Sequence, residues 1–329
     1  MIKCTATLAI VRSFVNTKWL TGWLLIILSG IAVQAQNPLV SAFENLSQSP
    51  QPLPFRNALT INNEGGHIQG IQAMHFHQQA YAILTGSSST VSYYTVVRLD
   101  QHPEVISVDT LLAKPFKHAG GFQINDGLMA IGIEDNEAKN ISQVLVYEVS
   151  DPEKIPSQPV QVIERRGETE RTTAGCIAIA HYQDQYVMLV GDWNTRHLDV
   201  YRISDDEINR PDASFTLTQS IALADQTRSQ WIDETWWSYQ NINLFVSEDT
   251  LFLIGLGVND QQENIADLFT VRLSEEQVLT KVASQHFPAT ERTSFVWGAG
   301  VDWQPEANRL QILSTTHTIS DSSEIIVYR

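Results

Sequence analysis

Two histidines and two acidic residues occupy matching places in the sequence, and their side chains can do chemistry. His67 and His118 each stand just ahead of a stretch containing glycine, while Glu134 and Asp192 each directly follow an apolar run. A pair of carboxyl groups suits acid–base work on a glycosidic bond, and imidazoles beside carboxylates suit a divalent metal ion. We therefore predict Glu134 and Asp192 as candidate catalytic groups, and all four residues as candidate metal ligands. The alternative is that each histidine bonds a backbone group, because repeated residues also recur for packing reasons.

Aromatic residues form a second candidate site. The segment 228–239 reads RSQWIDETWWSY and holds three of the eight tryptophans of the chain. Indole faces beside carboxylates and amides can stack on sugar rings or hold a cation by cation–π attraction. The alternative is that Trp236 and Trp237 are core residues, since large aromatic side chains bury well. The predicted ligand-binding residues are Trp193, Trp231, Trp236, Trp237, Tyr239, Trp297, His67 and His118.

These residues recur because the sequence is built from five similar segments. Each segment has a strand with small residues, a turn, a second apolar strand and a third strand of alternating pattern, and four segments add a fourth strand. Four short strands per repeat are typical of a β-propeller. The first strands align on a shared apolar residue at Ile71, Phe122, Ile177, Leu244 and Val301.

The fifth segment ends the sequence on its third strand, and Phe55–Ile61 (FRNALTI) is the obvious source of a fourth. Pairing the two would close the ring and remove a free edge. The sequence therefore predicts an all-β, five-bladed β-propeller closed by an N-terminal strand at about residues 55–61. Two β-sandwich domains are the alternative, but they do not explain why the last repeat stops at a third strand.

The motif His118-Ala-Gly-Gly-Phe-Gln has a degenerate first copy at Gly65–Gln72 (GGHIQGIQ). With these repeats the sequence resembles secreted bacterial five-bladed propeller proteins with HxGGxQ-like repeats. The resemblance covers nearly all of the sequence after residue 35. It implies the fold and an exported protein, and it implies no settled activity.

A propeller brings the loops before every first strand and after every second strand to one mouth of the central channel. The histidines, Glu134, Asp192 and the tryptophan-rich segment are therefore expected at the same mouth. Asp302 is the only acidic residue predicted on an innermost strand, and it is expected deep in the channel or near the opposite face.

The first 35 residues are typical of a secretory signal. Lys3, Arg12 and Lys18 precede an apolar run, and Val33-Gln34-Ala35 offers small residues for cleavage. An uncleaved anchor is the alternative. The predicted organisation is a signal peptide at 1–35, an extended arm at 36–54 and one propeller domain at 55–329, in a secreted or periplasmic protein. After cleavage one cysteine remains, so no intrachain disulfide is expected.

The balance of charge limits the partners. With 21 Lys and Arg against 37 Asp and Glu, the net charge is −16. Neither nucleic acid nor an anionic membrane surface suits so acidic a chain. The sequence favours an exported propeller that binds a polar ligand, most simply a glycan, at a Trp-rich mouth. A hydrolase of a sugar or phosphate ester, with or without a divalent metal, is the first alternative. A scaffold that binds another protein of the cell envelope is the second.

Overall fold

The computed structural model describes residues 36–208, 210, 212–273, 275–290 and 292–329. The predicted signal peptide at 1–35 lies outside the described residues. Among the described helices, none combines the length and the apolar character needed to cross a membrane. Residues 37–329 belong to one unit by their internal contacts, and nearly all of its regular structure is β-strand.

The strands of the described residues form five consecutive sets, each an antiparallel meander of four. The first described strand, β1 (Gln51–Arg56), belongs to the last set. Set 1 contains β2 (Ile68–Phe76), β3 (Gln79–Ser87), β4 (Val91–Arg98) and β5 (Glu104–Ala113). Set 2 contains β6 (His118–Asn125), β7 (Leu128–Glu134), β8 (Ile141–Glu148) and β9 (Gln161–Arg166).

The remaining three sets follow the same order. Set 3 contains β10 (Cys176–His181), β11 (Gln185–Gly191), β12 (His197–Ser204) and β13 (Thr216–Ala222). Set 4 contains β14 (Asn241–Ser247), β15 (Thr250–Val258), β16 (Asn264–Val271) and β17 (Leu279–Phe287). Set 5 contains β18 (Thr293–Gln304), β19 (Arg309–Thr316), β20 (Ser322–Tyr328) and β1. The all-β prediction is confirmed, and sets 5 and 1 join into a closed eight-stranded sheet.

The first strands of the five sets form a ring. Each of β2, β6, β10, β14 and β18 contacts the first strand of the next set, and β18 returns to β2. Two neighbouring first strands share a parallel bridge at Gly121 and Cys176. The glycines of the His-Ala-Gly-Gly run make this approach possible, since a Cβ on Gly120 would stand 2.2 Å from the carbonyl oxygen of Gly175.

Apolar packing lies between the sets. Five clusters of buried residues occupy the five interfaces between neighbouring sets, and the predicted anchors Ile71, Phe122, Ile177, Leu244 and Val301 are all buried. Packing of this kind, strand face against strand face, is the main source of stability, and Cys176, the one cysteine among the described residues, is free.

Amide side chains fill the space inside the ring. The Gln123 side chain accepts hydrogen bonds from the backbone N–H groups of Ile179 and Leu244 and donates to the Leu244 carbonyl, at 2.7–2.9 Å. Asn241 donates across the ring to the carbonyl of Gln69 at 3.0 Å. These side chains satisfy inner-edge backbone groups that no further strand can reach.

The N-terminal segment differs from its prediction in two ways. Residues 36–54 are not an extended arm, because Pro38–Glu44 form a short helix, α1, capped by the Asn37 side chain. Leu39 and Phe43, four residues apart, bury one face of α1 between sets 4 and 5. The closing strand is β1, which pairs with β20 and shares only Phe55 and Arg56 with the predicted range of 55–61.

The shift of the closing strand has a local cause. Asn57 turns the chain directly after β1, as its side chain accepts a hydrogen bond from the Leu59 N–H. Pro52 and Pro54 fit within β1 because it is the outermost strand of its set, where few backbone donors are required.

Candidate functional site

Glu134 and His118 meet at the end of the ring where the first strands begin, which we call the mouth. His118 begins β6 and pairs with Glu134, the last residue of β7. The Glu134 side chain is 1% exposed, and its Oε2 accepts a hydrogen bond of 2.9 Å from the backbone N–H of Ala174. Its Oε1 lies 3.8 Å from Nε2 of His118. The structure thus brings together two of the residues predicted for the site, and their roles stay predictions.

Burial shifts the pKa values of Glu134 and His118 in opposite directions. It raises the pKa of Glu134 to about 7, against the opposing pull of the Ala174 N–H and of Lys139 and Arg165. It lowers the pKa of His118 to about 4, with smaller contributions from the charges of His67 and Lys117. Desolvation disfavours the charged form of either group. Near neutral pH His118 is therefore neutral and Glu134 keeps its proton for much of the time.

Asp192 lies at the same mouth and is held by a histidine. It directly follows β11 and is 2% exposed. Its two oxygens accept hydrogen bonds from the backbone N–H of His197 at 2.9 Å and from Nδ1 of the same residue at 2.7 Å. His197 is a positioning residue for Asp192. The sequence places both residues in one loop at the mouth, but it assigns no role to His197.

A small polar cleft joins these groups. Its volume is about 50 Å³, which is room for one or two water molecules or one hydroxyl-bearing substituent. Sites that enclose a whole small molecule measure roughly 300–1,000 Å³. The cleft is lined by His118, Glu134, Gly175, Asp192, Trp193, Asn194, Tyr239 and Gln240. Five predicted site residues line the cleft. His118 and Glu134 belong to set 2, Asp192 and Trp193 follow a strand of set 3, and Tyr239 lies just before set 4.

Trp193 is the only tryptophan among the described residues that line this cleft, and the ammonium group of Lys139 lies over its ring. The Nζ atom of Lys139 lies 3.7 Å from the centre of the Trp193 ring and 3.3 Å from the Glu170 carboxylate. The backbone N–H of Trp193 donates to the carbonyl of Glu170 at 3.1 Å. Cation–π attraction and these bonds fix the indole beside the cleft. The sequence prediction did not include Lys139 or Glu170.

The tryptophan-rich segment packs mainly as core, which corrects the prediction that it forms a binding surface. Trp231 is 6% exposed, and its indole N–H donates to the Leu279 carbonyl at 2.9 Å. The Trp236 indole donates to the carbonyl of Thr195 at 3.0 Å. Trp236 and Trp237 are partly buried against the cluster between sets 3 and 4. Large apolar area outweighs any gain from leaving these rings exposed.

A buried ion-pair network holds this segment in place. The fully buried Lys281 ammonium lies 2.9 Å from Asp233 of the segment and 3.0 Å from the buried Asp267. Tyr239, the cleft residue, donates its hydroxyl hydrogen to Asp267. These contacts fix the position of Tyr239 in the wall of the cleft.

His67 and Trp297 belong to a separate aromatic group at the mouth. The His67 ring stacks on His317 at 4.8 Å between centroids, and the edge of Trp297 meets His317 at 5.0 Å. The His118 ring is 6.4 Å from that of His67. Burial and the charge of His67 lower the pKa of His317. His317 directly follows β19, the second strand of set 5, and this loop position already places it at the mouth from the sequence.

The predicted metal site is not assembled. Across the part of the chain that the structure describes, no three His, Cys, Asp or Glu side chains are placed to hold a metal ion. Both Asp192 oxygens already accept hydrogen bonds from His197, and one Glu134 oxygen accepts a hydrogen bond from the Ala174 N–H. Asp302 contacts His75 at 3.3 Å near the far end of the first strands, as expected for an acid away from the mouth.

Comparison with known proteins yields distant structural likenesses. No protein-family model matches the chain, and no curated protein matches it. A GH62 hydrolase in complex with xylotriose is 10% identical, with a TM-score of 0.49 over 84% of this chain and 97% of its own. The catalytic domain of a Coprinopsis cinerea GH62 α-L-arabinofuranosidase is 9% identical, with a TM-score of 0.49 over 86% and 97% of the two chains.

A third similar structure is CoXyl43, a GH43 β-xylosidase/α-arabinofuranosidase from a compost microbial metagenome, solved with xylotriose. It is 10% identical, with a TM-score of 0.49 over 84% of this chain and 95% of its own. Likenesses this distant carry no conclusion about what this chain binds or does. The HxGGxQ resemblance likewise stays a prediction, since no family model matches.

Proposed function

We propose that the five strand sets are the five blades of a β-propeller in an exported protein. The ring of first strands, the five inter-set clusters and the pairing of β1 with β20 support this architecture. Export rests on the sequence of residues 1–35. Mass spectrometry of the protein recovered from its own host tests it, and a mature chain that begins at Gln36 is the expected result.

We propose that the protein binds a hydroxyl-rich ligand of the glycan class at the Glu134 cleft. The observation that carries the proposal is a small cleft in which two buried carboxyl groups stand beside an indole. Such a cleft has room for one hydroxyl-bearing substituent, with the rest of the ligand lying over the mouth. Carboxyl and amide groups pair with hydroxyl groups, and an indole supplies a flat apolar face.

Binding to a printed array of glycans tests this proposal. The chain from residue 36 onward is expected to bind at least one glycan, and Trp193→Ala is expected to lose that signal. Trp297→Ala is the matched control, because it removes an indole from the same mouth without touching the cleft. Absence of any bound glycan, or equal loss with both variants, would contradict the proposal.

A hydrolase acting on a sugar is the second candidate function, and one observation favours it. The raised pKa of Glu134, about 7, suits a general acid at neutral pH, and Asp192 supplies a second carboxyl group in the same cleft. Incubating each bound glycan with the protein and measuring new reducing ends tests this function. Hydrolysis is expected to be lost in Glu134→Gln while binding remains; no release with any bound glycan leaves binding alone.

A further inference from the structure

A second and larger groove lies at the end of the ring opposite the mouth, between sets 2 and 3. Its volume is about 500 Å³, within the range of sites that take a ligand or a peptide side chain cluster. It is separate from the Glu134 cleft and shares none of its residues. It is lined by Asp126, Gly127, Leu128, Glu148, Ser150, Val160, Tyr186, Ile208 and Arg210.

The groove combines apolar walls with negative charge. Val160 is 50% exposed, one of only five large apolar side chains that are exposed among the described residues. Glu148 makes no hydrogen bond or ion pair with its side chain in the described part of the chain. Asp126 accepts a bond of 3.2 Å from the Tyr186 hydroxyl. Two carboxylates against the single guanidinium of Arg210 leave the groove net negative.

The same fold already shows what such a groove accepts. Helix α1 fills the equivalent position between sets 4 and 5, against the β14–β15 turn, β17 and β19. The open groove is bounded by the corresponding β6–β7 turn, by Val160 just before β9, and by Tyr186 on β11. Leu39 and Phe43 of α1 are fully buried at their site. A short segment with apolar side chains at helical spacing therefore suits this shape.

We propose that the groove between sets 2 and 3 docks a short segment of a partner protein. That segment presents apolar side chains at helical spacing, as α1 does, together with a lysine or arginine. The apolar side chains cover Val160 and Ile208, and the cation pairs with Glu148 and Asp126. Charge complementarity selects a basic segment, because the groove and the chain as a whole are negative.

A defined peptide tests this proposal by fluorescence anisotropy. The probe is a labelled synthetic copy of residues 37–46 with Glu44→Lys, which keeps the apolar pattern of α1 and adds a cation. It is expected to bind the chain from residue 36 onward, and to bind Glu148→Lys roughly tenfold more weakly, since attraction is replaced by repulsion. Val160→Asp is expected to weaken binding similarly, because it places a charge on the apolar wall.

Controls separate the groove from general electrostatics. Glu306→Lys makes the same change of charge at an exposed residue outside the groove, and it is expected to leave peptide binding unchanged. The unaltered peptide, with Glu44, is expected to bind more weakly than the probe. Thermal melting of each variant must match the parent, and the more conservative Glu148→Gln replaces Glu148→Lys if that variant unfolds.

Three results would overturn the proposal. The first is no binding of the probe up to about 1 mM. The second is equal binding by Glu148→Lys and the parent chain. The third is a stable dimer of the parent chain that Val160→Asp dissociates, since a second copy would then occupy the groove.

Discussion

The carboxyl group of Glu134 and the imidazole of His118 lie 3.8 Å apart at the mouth of the ring, and burial shifts their pKa values in opposite directions. His118 is consequently neutral near neutral pH, and a substantial fraction of Glu134 is protonated there. A neutral carboxyl donates a hydrogen bond as well as accepting one. The cleft can therefore pair with a ligand hydroxyl in either direction.

The opposite shifts predict a specific pH dependence of stability. The raised pKa of Glu134 removes stability as pH rises from 4.5 to about 7, because the folded state binds more protons there than the unfolded state. The lowered pKa of His118 removes stability as pH falls from 6.5 to about 4. Between pH 4.5 and 6.5 the two contributions offset one another.

Glu134→Gln should reveal the contribution of His118 to the pH dependence of stability. The free energy of unfolding of this variant, relative to the parent chain, is expected to rise with pH by roughly 1 kcal/mol per pH unit between pH 4.5 and 6.5. Urea unfolding at three pH values measures it. Glu64→Gln, at an exposed carboxyl near the mouth, is the control and should follow the parent. Parallel profiles for Glu134→Gln and the parent would refute the pairing of opposed shifts.

The tryptophans at the mouth should divide into a core group and a site group. Trp231→Ala is expected to lower the free energy of unfolding by about 3–5 kcal/mol, because it empties a buried position. Trp193→Ala should lower it by at most about 1 kcal/mol, the size of a partly exposed cation–π contact. Chemical denaturation of both variants distinguishes them, and equal losses would show that Trp193 is also core.

The buried Lys281 should be needed for stability mainly because Asp267 would otherwise be unpaired. Lys281→Met is expected to cost about 3–5 kcal/mol by leaving a buried carboxylate without a cation. Adding Asp267→Asn should restore a large part of that loss, since the uncompensated charge is removed. A double-mutant cycle measures the coupling. Additive losses would mean that the pair is not coupled in this way.

The closing strand should matter for the whole ring. Phe55→Ala is expected to lower the free energy of unfolding by about 3–5 kcal/mol, because Phe55 of β1 is buried in the cluster between sets 5 and 1. Leu59→Ala, just beyond β1 and 41% exposed, should change it by no more than about 0.5 kcal/mol. Thermal and urea unfolding compare them; a silent Phe55→Ala would show that closure contributes little.

The strand repeat could be predicted from the sequence because each repeat obeys local rules. Alternation and turns position β7 and β11, and those strands carry Glu134 and Asp192 to one mouth. Which tryptophans are buried could not be predicted in this way. Trp231 is buried in the cluster between sets 3 and 4, against Phe269 and the Leu279 carbonyl, which lie about 40 to 50 residues further along the sequence. Helix α1 was missed because its Asn37 cap and Pro38 start sit in a stretch whose prolines and serines suggest an extended arm.

Calorimetric titration of an array-selected glycan tests the binding site most directly. The parent chain and Trp297→Ala are expected to bind the glycan with the same affinity. Trp193→Ala is expected to bind at least roughly tenfold more weakly, the equivalent of about 1.4 kcal/mol. Unchanged affinity in Trp193→Ala, or a loss confined to Trp297→Ala, would place the ligand elsewhere and contradict binding at the Glu134 cleft.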